Sequence, residues 1–165
     1  MSKIVLLRGN SGSGKSTVGK VLQQKMGRGA LLISQDYVRR EMLRVKDEPN
    51  NQAIGLLENL VLYGNKNCEF SILEGILYAN IYESLFSLIE EVYAGHIYAY
   101  YFDLPFEETL KRHRQKPNAN DFGEPEMRRW WREKDYLDHI HEKTISKEMS
   151  IRETVELIYG DLTGD

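Results

Sequence analysis

Eight consecutive residues, Gly9-Asn10-Ser11-Gly12-Ser13-Gly14-Lys15-Ser16, constrain this chain more than any other segment. They satisfy G-x-x-x-x-G-K-S/T. An apolar tetrad, Ile4-Val5-Leu6-Leu7, precedes them, and Val18, Val21, Leu22 and Met26 follow at helical spacing up to Gly27. A strand directly before and a helix directly after are the context the motif requires. The glycines permit a turn in which backbone N–H groups converge on phosphate oxygens, and the helix N-terminus adds its positive dipole end. Lys15 is placed to reach the outer phosphates, and the Ser16 hydroxyl to ligate Mg²⁺. Gly9, Asn10, Ser11, Gly12, Ser13, Gly14, Lys15, Ser16 and Thr17 are therefore read as a nucleotide-binding loop, with ATP and Mg²⁺ as its ligands.

Short apolar runs alternate with helix-period stretches along the rest of the chain. Ala30 to Ile33, Phe70 to Leu73 and Ile97 to Phe102 read as further buried strands, and Lys143 to Ser146 as a short fifth. Helical patterns occupy Asp36 to Leu43, Asn51 to Tyr63 and Ile81 to Tyr93. Another begins at Pro105 with Glu107 and Glu108 in its first turn, and another runs from Pro125 to about Leu137. Ser150-Ile151-Arg152-Glu153 is a capping box opening the last helix. Near-continuously apolar strands alternating with helices describe a parallel sheet covered on both faces, a three-layer α/β architecture. At roughly 150 residues per domain, the 165 residues make a single domain spanning 1–165. Lys116 to Glu124 is the one long polar loop, which places a lid at about 112–129.

Ligands in open α/β sheets bind at the carboxyl ends of the strands, so those ends are the next candidates. The second strand leads into Asp36 and Arg39, three apart and able to share one helix face. A carboxylate there can take a proton from an acceptor hydroxyl while the guanidinium stabilises phosphate charge; the competing reading is an N-cap aspartate beside a solvated arginine. The third strand ends in Glu74-Gly75, where a carboxylate can hold the metal's water shell or the substrate. After the fourth strand comes Lys111-Arg112-His113-Arg114-Gln115-Lys116, basic residues at the root of the loop, with Arg128 and Arg129 at its far side. Phosphoryl transfer needs positive charge that arrives on closure and excludes water.

Composition narrows the partners. With 22 Lys and Arg against 25 Asp and Glu, the net charge is −3, which disfavours nucleic-acid binding driven by phosphate neutralisation. No apolar run is long enough for a signal-peptide core or a membrane span, and the single Cys68 forbids an internal disulfide, so a cytoplasmic setting is expected. Cys68 itself reads as a small buried hydrophobe. His139 and His141 have no third ligand nearby, so zinc is not expected. Tyr98, Tyr100 and Tyr101 read as sheet packing. Of the adjacent Trp130 and Trp131, one is expected on the core and the other over a ligand. Nothing in the sequence reads on oligomeric state.

Four segments in this order resemble the small P-loop kinases related to polynucleotide kinase, the zeta-toxin kinases and chloramphenicol phosphotransferase, themselves similar to adenylate and shikimate kinases. They are Gly9 to Thr17, Asp36-x-x-Arg39, Ile72-Leu73-Glu74-Gly75, and Phe102-Asp103-Leu104-Pro105 leading to Arg112. The resemblance implies a five-stranded sheet in order 2-3-1-4-5, Asp36 as general base, Arg39 on the acceptor, and Arg112 and Lys116 at the lid beside the nucleotide. The chain departs from the pattern at Lys116, where relatives often carry Arg, and at Glu74, where they often carry Asp. The expected activity is ATP-dependent transfer of the γ-phosphoryl group to a hydroxyl of a small molecule of nucleoside, sugar or antibiotic class. The alternatives are a 5′-hydroxyl nucleic-acid kinase and a nucleotide-dependent switch without an acceptor. Asn65-Lys66-Asn67-Cys68 only begins like a guanine-specificity signature.

Overall fold

A computed structural model gives the architecture of residues 1–117 and 119–164. Asn118, inside the expected loop, and Asp165 lie outside the described residues. The strands are β1 (Lys3–Gly9), β2 (Leu31–Ser34), β3 (Phe70–Gly75), β4 (Ile97–Phe102) and β5 (Glu142–Ile145). The helices are α1 (Lys15–Met26), α2 (Gln35–Tyr37), α3 (Ala53–Asn67), α4 (Glu83–Val92), α5 (Phe106–Arg114), α6 (Glu124–Trp130) and α7 (Ile151–Thr163). All the pairings are parallel and the spatial order is β2-β3-β1-β4-β5, the order the resemblance implies.

Alternation along β1 builds both cores. Ile4 and Leu6 point to a layer with Leu57 and Val61 of α3 and Leu85 and Ile89 of α4. Val5 and Leu7 point to the opposite layer, with Val18 and Leu22 of α1 and Val155 and Ile158 of α7. The central strand therefore has no solvent face, which is why it reads as an unbroken apolar run. Tyr100 and Tyr101 are buried in the sheet, as their pattern predicts.

Several local expectations change. Val21 is 39% exposed, on the outer face of α1, because the inner stripe is filled by Val18 and Leu22. Cys68 is half-buried at the end of α3. Pro105 precedes α5 as an extended N-cap, while Glu107 and Glu108 do occupy the first turn. The Asp36 to Leu43 segment has only one α-turn; Val38–Leu43 is a π-helical turn closed by Arg44 in the left-handed conformation. The helix expected to reach Leu137 stops at Trp130. Beyond it, side chains capture the backbone groups a helix would need: Asn10 binds both N–H and C=O of Arg132, the Tyr101 hydroxyl accepts from Asp135 N–H, and Glu142 accepts from Leu137 N–H. The capping box is present, with Ser150 Oγ accepting from Glu153 N–H at 3.0 Å.

Candidate active site

The glycine-rich loop connects β1 to α1 at the carboxyl end of the sheet. Three of its glycines are obligatory: Gly9 has φ of 148°, and a Cβ there would lie 2.8 Å from the Phe102 carbonyl oxygen. Gly12 has φ of 81°, and a Cβ there would lie 2.5 Å from the Thr109 carbonyl oxygen. Gly14 has φ of 97° and caps α1, leaving the first-turn N–H groups open toward the loop's concavity. Lys15 folds back over the loop, its Nζ donating to Asn10 O at 2.8 Å and to Ser13 Oγ at 3.2 Å. Burial lowers its pKa to about 8, against the opposing pull of the Glu74 carboxylate. A buried ammonium held by two neutral acceptors is poised for an incoming anion.

Ser16 Oγ donates to Glu74 Oε2 at 3.1 Å. Glu74 is buried at the end of β3, in register with Leu7 of β1, so the sheet itself carries the carboxylate to the start of α1. A hydroxyl and a carboxylate this close form an all-oxygen donor pair that fits a hard divalent cation sharing its remaining positions with phosphates and water. Among the described residues no group of three His, Cys, Asp or Glu could hold a metal by itself.

Asp36 accepts from Arg39 Nη2 at 3.3 Å and forms an ion pair with Arg40, whose Nε lies 3.0 Å away. It does not cap its helix, because Ser34 Oγ accepts from Tyr37 N–H in that role. Arg39 also donates from Nη1 to Val45 O, and its buried Nε has no partner. One cavity of about 540 Å³ brings together Lys15, Ser16, Asp36, Arg39, Glu74 and Lys116. Burial also lowers the Lys116 pKa, again opposed by Glu74.

Arg112 takes a different place. It lines an adjoining hollow of about 530 Å³ on the other side of the loop, with Thr17, Lys147 and Ile151. Its Nη1 donates to Ser13 O at 3.0 Å and its Nε to Glu108 at 3.1 Å. Ser13, Gly14 and Lys116 border both spaces, so the loop stands between two chambers. Gly9 packs against Phe102, and the Asn10 side chain turns away to the Arg132 backbone. Trp130 borders the larger chamber and meets Phe122 edge-on at 4.9 Å, whereas Trp131 packs on Phe106.

Sequence reasoning missed the supports. Arg8 is fully buried, its Nη1 donating to both oxygens of Glu142 at 3.0 Å and its Nη2 to Asp135 at 3.2 Å. It also donates twice to the carbonyl of Leu77, whose left-handed φ of 48° bends the chain after β3 around the chamber. A charged residue inside a buried strand was the available signal. On the opposite wall Tyr82 donates to Asp47 at 2.6 Å and accepts from the buried Gln35 at 3.0 Å. Burial and the Asp47 carboxylate push the Tyr82 hydroxyl well above its ordinary range, so it stays a donor.

Comparison with solved structures finds this fold in proteins described as kinases. An APS kinase from Mycobacterium tuberculosis, in complex with AMPPNP and APS, matches with a TM-score of 0.65 at 19% identity over 99% of this chain and 98% of that one. A gluconokinase from Sinorhizobium meliloti gives 0.64 at 16% identity, over 99% and 92%. A shikimate kinase from Aquifex aeolicus gives 0.55 at 21% identity, over 98% and 96%. At these identities the likeness is one of fold. A comparison with curated proteins finds no match. Residues 4–140, from the second residue of β1 through β4 and including the phosphate loop and every candidate residue above, match the AAA_33 family, described as an AAA domain; the chain belongs to that family.

Proposed function

We propose that the chain is an ATP-dependent kinase that moves the γ-phosphoryl group to a hydroxyl of a small molecule of nucleoside, sugar or antibiotic class. The observation that carries this reading is the convergence of Lys15, the Ser16–Glu74 pair and Asp36 on one chamber, with an adjoining hollow across the loop. The hollow beside Arg112 suits the base and sugar of the nucleotide, and the loop between the chambers suits its phosphates. The larger chamber then receives the acceptor.

Asp36 accepts the proton that leaves the acceptor hydroxyl as its oxygen bonds to the γ-phosphorus and the bond to ADP breaks. Arg39 holds Asp36 in place and keeps Nη groups near the transferred charge. Lys15 stays on the phosphates through the reaction. Ser16 and Glu74 would hold Mg²⁺, which when bound neutralises phosphate charge. The segment 112–129 acts as a lid: Phe122 stacks on His113 at 4.3 Å, and the Arg40 guanidinium lies 5.5 Å from both the Phe122 and Trp130 rings. Those contacts bring Phe122 and Trp130 to the chamber wall, where closure of a lid would exclude water from the reacting groups.

ADP release from ATP with and without a panel of hydroxyl compounds tests the reading. Release that rises with one compound, together with the phosphorylated product, supports it. Equal release with and without every compound would instead indicate a hydrolytic switch.

A further inference from the structure

The larger chamber is far more basic than the chain around it. Seven cationic and three anionic side chains line it, in a protein whose net charge is −3. On the kinase reading, Lys15 and Lys116 serve the nucleotide phosphates and Glu74 serves the metal. Asp36 is shared by Arg39 and Arg40. Asp47, the remaining carboxylate, is engaged by the Tyr82 hydroxyl. Lys46, Arg129 and Arg132 are left, and among the described residues none of them joins an ion pair.

Arg132 is not a loose surface cation. Its guanidinium lies 4.1 Å over the Tyr78 ring and donates to the neutral Asn80 side chain. Asn10 clamps its backbone through two hydrogen bonds of 2.7 and 2.9 Å. A guanidinium immobilised by an aromatic face and an amide keeps its full charge for something else. The three cations come from two places in the chain: Lys46 from the stretch after the π-turn, and Arg129 and Arg132 from the end of α6 and the residues just beyond it. Like charges brought to one chamber from these two places repel one another, and an anionic ligand relieves that repulsion.

We infer that the acceptor is itself an anion, carrying an oxyanionic group (phosphate, sulfate or carboxylate) besides the hydroxyl that is phosphorylated. Arg132, with Lys46 and Arg129, holds the oxyanion in the larger chamber. Arginine's planar fork suits the two oxygens of such a group. The inference rests on the kinase reading, because that reading assigns Lys15 and Lys116 to the nucleotide, while Arg39 and Arg40 pair with Asp36.

The test uses the full chain saturated with AMPPNP and Mg²⁺, so that the phosphate loop is filled. Inorganic phosphate, sulfate and acetate are titrated against chloride at constant ionic strength, with Trp130 fluorescence as the readout. At least one anion should bind the wild type beyond chloride, and about tenfold more weakly after Arg132→Gln or Lys46→Gln. Lys46 is exposed, so its variant carries the test even if Arg132→Gln folds poorly. The anion that binds tightest names the group. No binding beyond chloride, or unchanged binding in Lys46→Gln and in folded Arg132→Gln, overturns the inference. A turnover arm compares glycerol with glycerol 3-phosphate and ribose with ribose 5-phosphate. A neutral member consumed faster than its anionic twin overturns the inference while leaving the kinase reading intact. Failure of AMPPNP to bind would count against the kinase reading; the phosphate loop would then be open to the anions, and weaker binding in Lys46→Gln and Arg132→Gln would be the arm that still decides the inference.

Discussion

Ser16 Oγ and Glu74 Oε2 lie 3.1 Å apart although 58 residues separate them, one opening α1 and the other closing β3. The parallel pairing of β1 with β3 produces this contact, because it lines up the ends of the two strands on either side of the phosphate loop. Removing either oxygen should weaken divalent-cation binding without disturbing the sheet. Ser16→Ala and Glu74→Gln are each expected to raise the Mg²⁺ concentration for half-maximal turnover by roughly 10- to 100-fold. A chelator should abolish turnover in the wild type, and full activity in its presence would refute the assignment.

Lys15 carries a pH signature. Its free-protein pKa is lowered to about 8 by burial, and a bound phosphate chain raises it again. ATP affinity should therefore be complete below about pH 8 and fall as pH rises through it, by at most about tenfold per unit. Binding should take up a proton near pH 8.5 (about half a unit above that pKa), read by calorimetry in buffers of different ionisation enthalpy. Lys15→Ala should remove both the pH dependence and the transfer. Wild-type turnover in that variant would sink the nucleotide assignment.

Asp36→Asn separates the base from a structural carboxylate. Ser34, not Asp36, caps the short helix, so the substitution leaves the cap untouched. ATP affinity should persist, and transfer should fall by ~10²–10⁴-fold if Asp36 takes the hydroxyl proton. An unchanged rate would leave Asp36 as an anchor for Arg39 and Arg40 and make Glu74 the candidate base.

Arg8 predicts a stability effect, although its side chain lines neither chamber. Arg8→Leu leaves the fully buried Glu142 carboxylate and the partly buried Asp135 without their cation. Breaking a buried pair by removing one partner costs about 3–5 kcal/mol. For a chain of this size that lowers the melting temperature by about 10 °C. A melting temperature within about 2 °C of wild type would show that the two carboxylates find other partners.

How much of this was legible depends on distance along the chain. The phosphate loop, the five strands and the capping box at Ser150 are local: glycine conformations, apolar alternation and i to i+3 hydrogen bonds depend on neighbours a few residues away. Asp36 and Arg39 could be paired for the same reason, since one helical turn separates them. The early end of α6 escaped because partners from elsewhere in the chain override local propensity, as Asn10 does at Arg132. Arg8 shows the same division within one residue. The sequence by itself put a charge in a buried strand. Only the tertiary structure decided that Glu142, 134 positions away, would neutralise it, because register across a parallel sheet is set by packing on both faces and not by any local pattern.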